Sequence, residues 1–204
     1  ARRAALLDVA GDEPVLLGHT RDDQAEQVLL SLARGSGATS LAGIRPRSGQ
    51  FWHPLLEVRR AQTVQACREW EVEPWQDPHN GDPRFLRSRV RTELMPVMEE
   101  VLGPEVAASL ARSATLLAGE DEVVARVARM WADKHGVSTN ELPGLRGVEV
   151  GLARRVVKEW LPQARMVHVD AVLGLLDGPG GAGVDVPGGR VEMRQGTLYL
   201  ARRL

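Results

Sequence analysis

The segment Gly18-His19-Thr20-Arg21-Asp22-Asp23-Gln24-Ala25-Glu26 follows a short apolar run, Val15-Leu16-Leu17, and this junction narrows the possible folds more than any other stretch. An apolar run this short, bounded by glycine, reads as a buried parallel strand. Thr20 with Asp23 three residues on fits a capping box, so a helix is expected to open at Thr20 and run to about Ala33. Gly35-Ser36-Gly37 then stops it and begins a loop. Ala25, Val28, Leu29 and Leu32 fall on one side and read as its buried stripe. His19, Asp22, Asp23 and Glu26 gather where the strand ends and the helix starts, the place at which open α/β sheets bind ligands. A helix that joins a core face to a cluster of ionisable groups points to an enzyme.

The remaining bulk properties exclude more than they assign. With 26 basic and 27 acidic residues the net charge is −1, so any nucleic-acid face must be local. No apolar run approaches the ~20 residues of a membrane helix, and the opening residues do not read as a signal peptide. The single cysteine, Cys67, rules out a disulfide framework and any four-cysteine metal site within the chain, and suits a reducing cytoplasm. Ala1-Arg2-Arg3-Ala4-Ala5-Leu6-Leu7 reads as helix without an N-cap, so the sequence is expected to begin inside a domain.

Along the chain, Gln50–Leu56 is expected to form another short strand and Val58–Trp70 a helix with Ala61, Val64, Cys67 or Ala66, and Trp70 inward. Proline spacing makes Glu73–Asn80 a loop, and Asp82-Pro83 starts a helix that runs to Leu94 before Pro96 breaks or kinks it. A long helix follows from Gly103-Pro104 to about Lys134, with Val106, Leu110, Leu117, Val124 and Trp131 in register. Helices near 148–161 and 167–177 precede a β-meander built from Val184–Val186, Arg190–Met193 and Thr197–Leu200. The division is placed near residue 100, between an α/β part (1–100) and a helical part with the terminal meander (101–204). Trp70, Trp131 and Trp160 read as packing residues, Cys67 as a buried thiol, and His53, His135 and His168 carry no assigned role.

Two blocks together resemble one family. Gly18-His19-x-x-Asp22-Asp23-Gln24-Ala25-Glu26, continued by Leu32-x-Arg34-Gly35-Ser36-Gly37 and Leu41-Ala42-Gly43, is similar to a signature of the tRNA(Ile)-lysidine synthetases. These belong to the N-type ATP pyrophosphatase, or PP-loop, superfamily. Asp77-Pro78-His79-Asn80-Gly81-Asp82 with Phe85-x-Arg87-Ser88-x-x-Arg91 and Leu94-Met95-Pro96 resembles a second segment of that family, in the same order. Gln27 stands where the family usually has threonine, and Ser88 where it has asparagine. The family's phosphate loop, Ser-Gly-Gly-x-Asp-Ser, is expected upstream of residue 1, and neither Gly35-Ser36-Gly37 nor Gly180-Gly181-Ala182-Gly183 replaces it.

The resemblance implies an α/β fold: the C-terminal part of a Rossmann-like PP-loop domain, then a small helical domain with the meander. It implies that ATP adenylates the C2 oxygen of the wobble cytidine in a tRNA(Ile) with a CAU anticodon. The amine of free lysine then displaces AMP. ATP with Mg²⁺, that tRNA and L-lysine are the implied cofactors and partners, in the cytoplasm, with no membrane; whether the protein is a homodimer stays open. His19 is implied to contact phosphate or to deprotonate lysine, and Asp22 or Asp23 to hold Mg²⁺ or orient the amine; a plain cap and a loop histidine are the bland readings of the same residues. Arg84, Arg87 and Arg91 share a helical face that suits ATP or tRNA phosphate, Arg87 and Arg91 foremost, although such a run is also read as a solvated face. Arg34, Gly35, Ser36, Gly37 and Asn80 are substrate or tRNA contacts by the same reasoning, Glu26 a supporting residue at most, and Arg59 and Arg60 weaker candidates. The competing readings are a non-catalytic tRNA-binding remnant and a related tRNA thiolase, the latter disfavoured by one cysteine.

Overall fold

The computed structural model describes the chain apart from residues 1, 76, 78, 79, 179, 180, 203 and 204. Gln76, Pro78 and His79 of the proline-spaced loop, and Gly180 of the glycine run, therefore lie outside the described residues. The chain forms two compact units, Ala1–Asp121 and Glu122–Leu204. The boundary between them falls inside a helix, just past Gly119 and within the acidic run Glu120-Asp121-Glu122.

The first unit contains α1 (Arg2–Ala10), β1 (Val15–Leu16), α2 (Arg21–Leu32), α3 (Ala38–Leu41), β2 (Arg47–Ser48), β3 (Phe51–Trp52), α4 (Arg60–Glu69), α5 (Leu86–Arg89), a π-helical turn (Val90–Leu94), α6 (Met95–Leu102) and the first part of α7 (Val106–Lys134). Its sheet has the order β1-β3-β2. β1 runs parallel to β3, with Val15 opposite Phe51 and Leu16 opposite Trp52, and β2 closes an antiparallel hairpin onto β3 through Gly49 at φ +59°. The parallel strand is present, but Leu16 is exposed rather than buried.

α2 begins where expected. Thr20 is its N-cap, and both the Thr20 backbone N–H (2.8 Å) and its hydroxyl (2.7 Å) donate to Asp23 Oδ2. The helix is buried on more than one side, so Ala25, Val28 and Leu30 are inside while Leu32, in the last turn, is exposed. Gln24 is fixed by a reciprocal pair with Ile44: the Ile44 N–H donates to Oε1 (2.6 Å) and Nε2 donates to the Ile44 carbonyl (3.1 Å). Gly43 permits this approach, since it sits at φ +65° and a Cβ there would lie 2.4 Å from Gln24 Oε1. Ala25, Leu30, Val90, Met95 and Val106 form the local core.

Several expectations change in this unit. α4 has no buried residue, so Trp70 is exposed and Cys67 only half-buried. The helix expected from Asp82 starts at Leu86 with Phe85 as N-cap, because Asp82 instead accepts from the Arg84 backbone N–H and guanidinium. Val90 points inward as expected, whereas Phe85 is exposed. Pro96 does not break the chain's helical path; it closely follows the π-helical stretch, and its ring opposes the Thr92 carbonyl within that stretch. The distortion lies one turn earlier, in the π-helical stretch.

The second unit holds the rest of α7, β4 (Glu141–Pro143), α8 (Val150–Trp160), α9 (Met166–Gly174), β5 (Gly183–Val186), β6 (Gly189–Arg194) and β7 (Thr197–Arg202). The meander forms as expected and gains β4 as an edge, in the antiparallel order β4-β7-β6-β5. Leu142, Val157, Val169, Val172, Val191 and Leu198 are sealed inside, with Trp131 and Trp160 packed against that core. α7 buries Val106, Ala114, Ala125 and Ala128 and leaves Val124 exposed, so small alanines rather than the larger residues mark its inner line.

Candidate active site

The ionisable residues of α2 face three arginines. Asp23 and Glu26, one turn apart, project on one side of the helix, and Arg60 at the start of α4, Arg87 on α5 and Arg91 in the π-helical turn converge on them. Glu26 is 1% exposed and sits at the centre. Its Oε2 accepts from Arg87 Nε (3.0 Å) and Arg91 Nη2 (3.0 Å), its Oε1 accepts from Arg91 Nε (2.7 Å), and Arg60 Nη1 lies 3.5 Å from Oε1. Asp23 Oδ1 accepts from Arg60 Nη2 (3.1 Å) and Arg91 Nη2 (3.2 Å), and Arg87 Nη2 also donates to the Asp23 carbonyl (3.0 Å). Asp22 Oδ2 accepts from the backbone N–H of Arg60 (2.7 Å), which caps α4 and fixes its start against α2.

Burial of a carboxylate is tolerated only when it is paired and hydrogen-bonded. Asp23 and Glu26 meet this condition through Arg60, Arg87 and Arg91; with Asp22 beside them, three carboxylates stand near three guanidiniums. Burial pushes the Asp23 carboxyl up, but the Thr20 hydrogen bonds and the charges of Arg60 and Arg87 outweigh it and hold the group below the usual aspartate value. The hydrogen bond to Glu26 raises Arg91 above the ordinary guanidinium value. His19 is held below the usual imidazole value, chiefly by burial, against the opposing charge of Asp23.

A cavity of about 140 Å³ opens beside this cluster, lined by Asp22, Glu26, Arg60, Arg91, Met95, Pro96 and Glu99. It offers carboxylates and guanidiniums within one small volume, the complement of a zwitterion. A larger cavity of about 550 Å³ in the second unit is lined by Leu145, Val148, Val150, Leu173 and Leu176, with Arg146 and Asp177 as its charged residues.

Asp22 and Asp23 differ in how far their oxygens are already engaged. Asp22 Oδ2 and both oxygens of Asp23 already accept hydrogen bonds from protein donors, and among the described residues no group of three or more His, Cys, Asp or Glu side chains is placed to hold a metal. Mg²⁺ takes one or two carboxylates alongside phosphate oxygens, and of this pair Asp23 is the one whose two oxygens are both engaged by protein donors.

Of the residues singled out from the sequence, His19, Asp22, Asp23, Arg87 and Arg91 meet around the start of α2. Arg84 does not join them; it is exposed and binds Asp82. Arg34, Gly35, Ser36 and Gly37 lie past the opposite end of α2, whose last residue, Leu32, is about 9 Å along the axis from Glu26 at 1.5 Å per residue. The Asn80 side chain is exposed, while its carbonyl accepts from the buried Ser88 hydroxyl (2.8 Å), tying the loop to α5. Sequence reasoning undervalued Glu26 and Arg60. The i, i+3 spacing from Asp23 to Glu26 was a usable signal for the first. Nothing local marked Arg60, because Asp22 captures its backbone across 38 residues of chain.

Residues 3–98 match the PP-loop domain. Over all 204 residues the chain is 98% identical to a tRNA(Ile)-lysidine synthase of Cutibacterium acnes, of which it covers 66%. The chain belongs to the tRNA(Ile)-lysidine synthase family. Relatives bearing that name in Mycolicibacterium paratuberculosis and Rhodococcus erythropolis are 48% identical over 165 residues and 41% identical over 212 residues. The chain spans 51% and 64% of the length of these two. The two blocks that resemble the tRNA(Ile)-lysidine synthases in sequence are those that meet in space, α2 from one and Arg87 and Arg91 from the other.

Proposed function

We propose that this chain is part of an enzyme that ligates lysine to C2 of the wobble cytidine in a tRNA(Ile) with a CAU anticodon, using ATP. The observation that carries this reading is the 98% identity to a tRNA(Ile)-lysidine synthase across every residue of the chain. The site adds chemical sense. In the first step the C2 oxygen attacks the α-phosphorus of ATP and pyrophosphate leaves. In the second the lysine amine adds at C2, the adenylated oxygen departs with AMP, and the amine loses a proton.

The small cavity suits lysine. Its ammonium groups face Asp22, Glu26 and Glu99, and its carboxylate faces Arg60 and Arg91. His19, neutral at working pH because burial lowers its proton affinity, is the group that accepts the amine proton. Arg87, 37% exposed, presents free N–H capacity to a phosphate while Glu26 holds its Nε. ATP brings its own magnesium as substrate, and no residue described here is assigned to that ion. Arg34–Gly37 and the exposed Arg84 extend the reading outward as tRNA contacts. No described helix is long and apolar enough to cross a membrane, and an ATP- and tRNA-dependent reaction belongs in the cytoplasm.

The full-length protein tests this with CAU-anticodon tRNA(Ile), ATP and labelled lysine. One lysine should enter the tRNA per AMP and pyrophosphate released. Glu26→Gln should raise the lysine KM at least ten-fold while changing lysine-independent pyrophosphate release by less than three-fold. Absence of lysine transfer overturns the function; transfer with an unaltered lysine KM in Glu26→Gln overturns the placement of lysine.

A further inference from the structure

The parallel pairing of β1 and β3 brings two histidines together. Leu17 N–H donates to the Trp52 carbonyl (2.8 Å), which continues the β1–β3 ladder to the edge where His19 and His53 follow. Their ring centroids are 5.0 Å apart and the rings are tilted by 52°. His53 is 5% exposed and doubly anchored: its backbone N–H donates to the Pro46 carbonyl (2.8 Å), and its Nδ1 lies 2.7 Å from the Arg45 carbonyl oxygen. A carbonyl only accepts, so the proton of a neutral His53 is on Nδ1 and Nε2 carries a lone pair. That Nε2 is buried and meets no hydrogen-bond partner among the described residues; the same is true of His19 Nδ1. A buried acceptor and an unpaired ring nitrogen on adjacent rings are complementary if His19 carries its proton on Nδ1. A small ring rotation, or one bridging water, then satisfies both.

We propose that His53 is a positioning residue that holds His19 in the Nδ1–H tautomer, leaving His19 Nε2 as the lone-pair atom that accepts a proton at the reacting centre. The chain of donors runs from His19 Nδ1 to His53 Nε2 and from His53 Nδ1 to the Arg45 carbonyl, so the backbone of the β2–β3 hairpin fixes the tautomer of a side chain on another strand's end. Metal-bound histidines are oriented by second hydrogen bonds of this type. The catalytic consequence rests on the role given to His19 above; the tautomer itself does not.

The test uses the full-length protein with ¹⁵N-labelled histidine. Long-range proton–nitrogen spectra should show the Nδ1–H tautomer for both His19 and His53. In His53→Phe, which removes the acceptor, His19 should shift to a mixture or to Nε2–H, and kcat for lysine transfer should fall about ten-fold with the KM values for ATP and lysine within two-fold. His53→Gln, whose amide both donates and accepts, should recover most of the rate. A His19 that is Nε2–H in the unmodified protein, or whose tautomer is unmoved in His53→Phe, overturns the proposal. A tautomer change in a protein that transfers no lysine supports the pairing and overturns the functional reading instead.

Discussion

Glu26 illustrates how a single side chain acquires its meaning from its neighbours. It is buried and made tolerable by three guanidiniums that are themselves 25% to 37% exposed. Removing it with Glu26→Ala leaves those charges unpaired, and the expected loss is about 2–4 kcal/mol, below the full figure for a wholly buried pair because water reaches the arginines. Urea denaturation measures it, and a loss under 0.5 kcal/mol would show that the pairing contributes little. His19 gives a pH signature. Its folded value lies below the ordinary 6.5, so below pH 6.5 the unfolded chain takes up a proton that the folded chain resists. Stability is therefore full above 6.5 and declines as pH falls toward the lowered value. His19→Gln should flatten that slope in denaturation midpoints compared at pH 7 and pH 5.5; an unchanged slope assigns the dependence to other groups.

At the scale of the elements, the site depends on how helix ends meet. Asp22 belongs to the first turn of α2 yet caps α4, so one carboxylate sets the angle at which Arg60 approaches Glu26. Asp22→Ala should cost about 1 kcal/mol, the usual value of a lost cap, and Asp22→Asn should retain most of it, since asparagine caps as well. Thermal melts of the two variants separate these outcomes, and equal losses would deny the cap. The π-helical turn has a comparable part. Val90 and Met95, five residues apart, both enter the same core, a spacing that a regular α-helix would place on divergent faces and that one wider turn brings together. The sequence places a helix here and marks a disturbance at Pro96, whose ring opposes the carbonyl of Thr92 four residues back, inside the π-helical stretch; the core around Ala25 and Leu30 draws Val90 and Met95 inward.

For the whole molecule, the two units differ in how much apolar surface they seal. Among the described residues the main cluster of the second unit has sixteen buried members, against five in that of the first. Burial scales with apolar area removed from water, and local stability follows it. In hydrogen exchange on the 204-residue chain, the amides of Val157, Val169, Val172, Val191 and Leu198 should exchange last, and those of α4, which buries nothing, among the first helical amides. Slower exchange in α4 than in α8 would contradict this ranking of the two units.

What the sequence settled by itself was local. Thr20 with Asp23 set the start of α2, since a cap needs only residues three apart. Gly-rich breaks set the meander, since turns are short-range. The motif residues His19, Asp23, Arg87 and Arg91 could be singled out because their types and spacing resemble those of the tRNA(Ile)-lysidine synthases, and the structure brings them together. Other features waited for the tertiary structure: the burial of Glu26, the capture of Arg60 by Asp22, the exposure of Trp70 and the meeting of His19 with His53. Each depends on which distant segment covers a residue. Exposure and charge pairing are properties of that covering, which no window of adjacent residues contains.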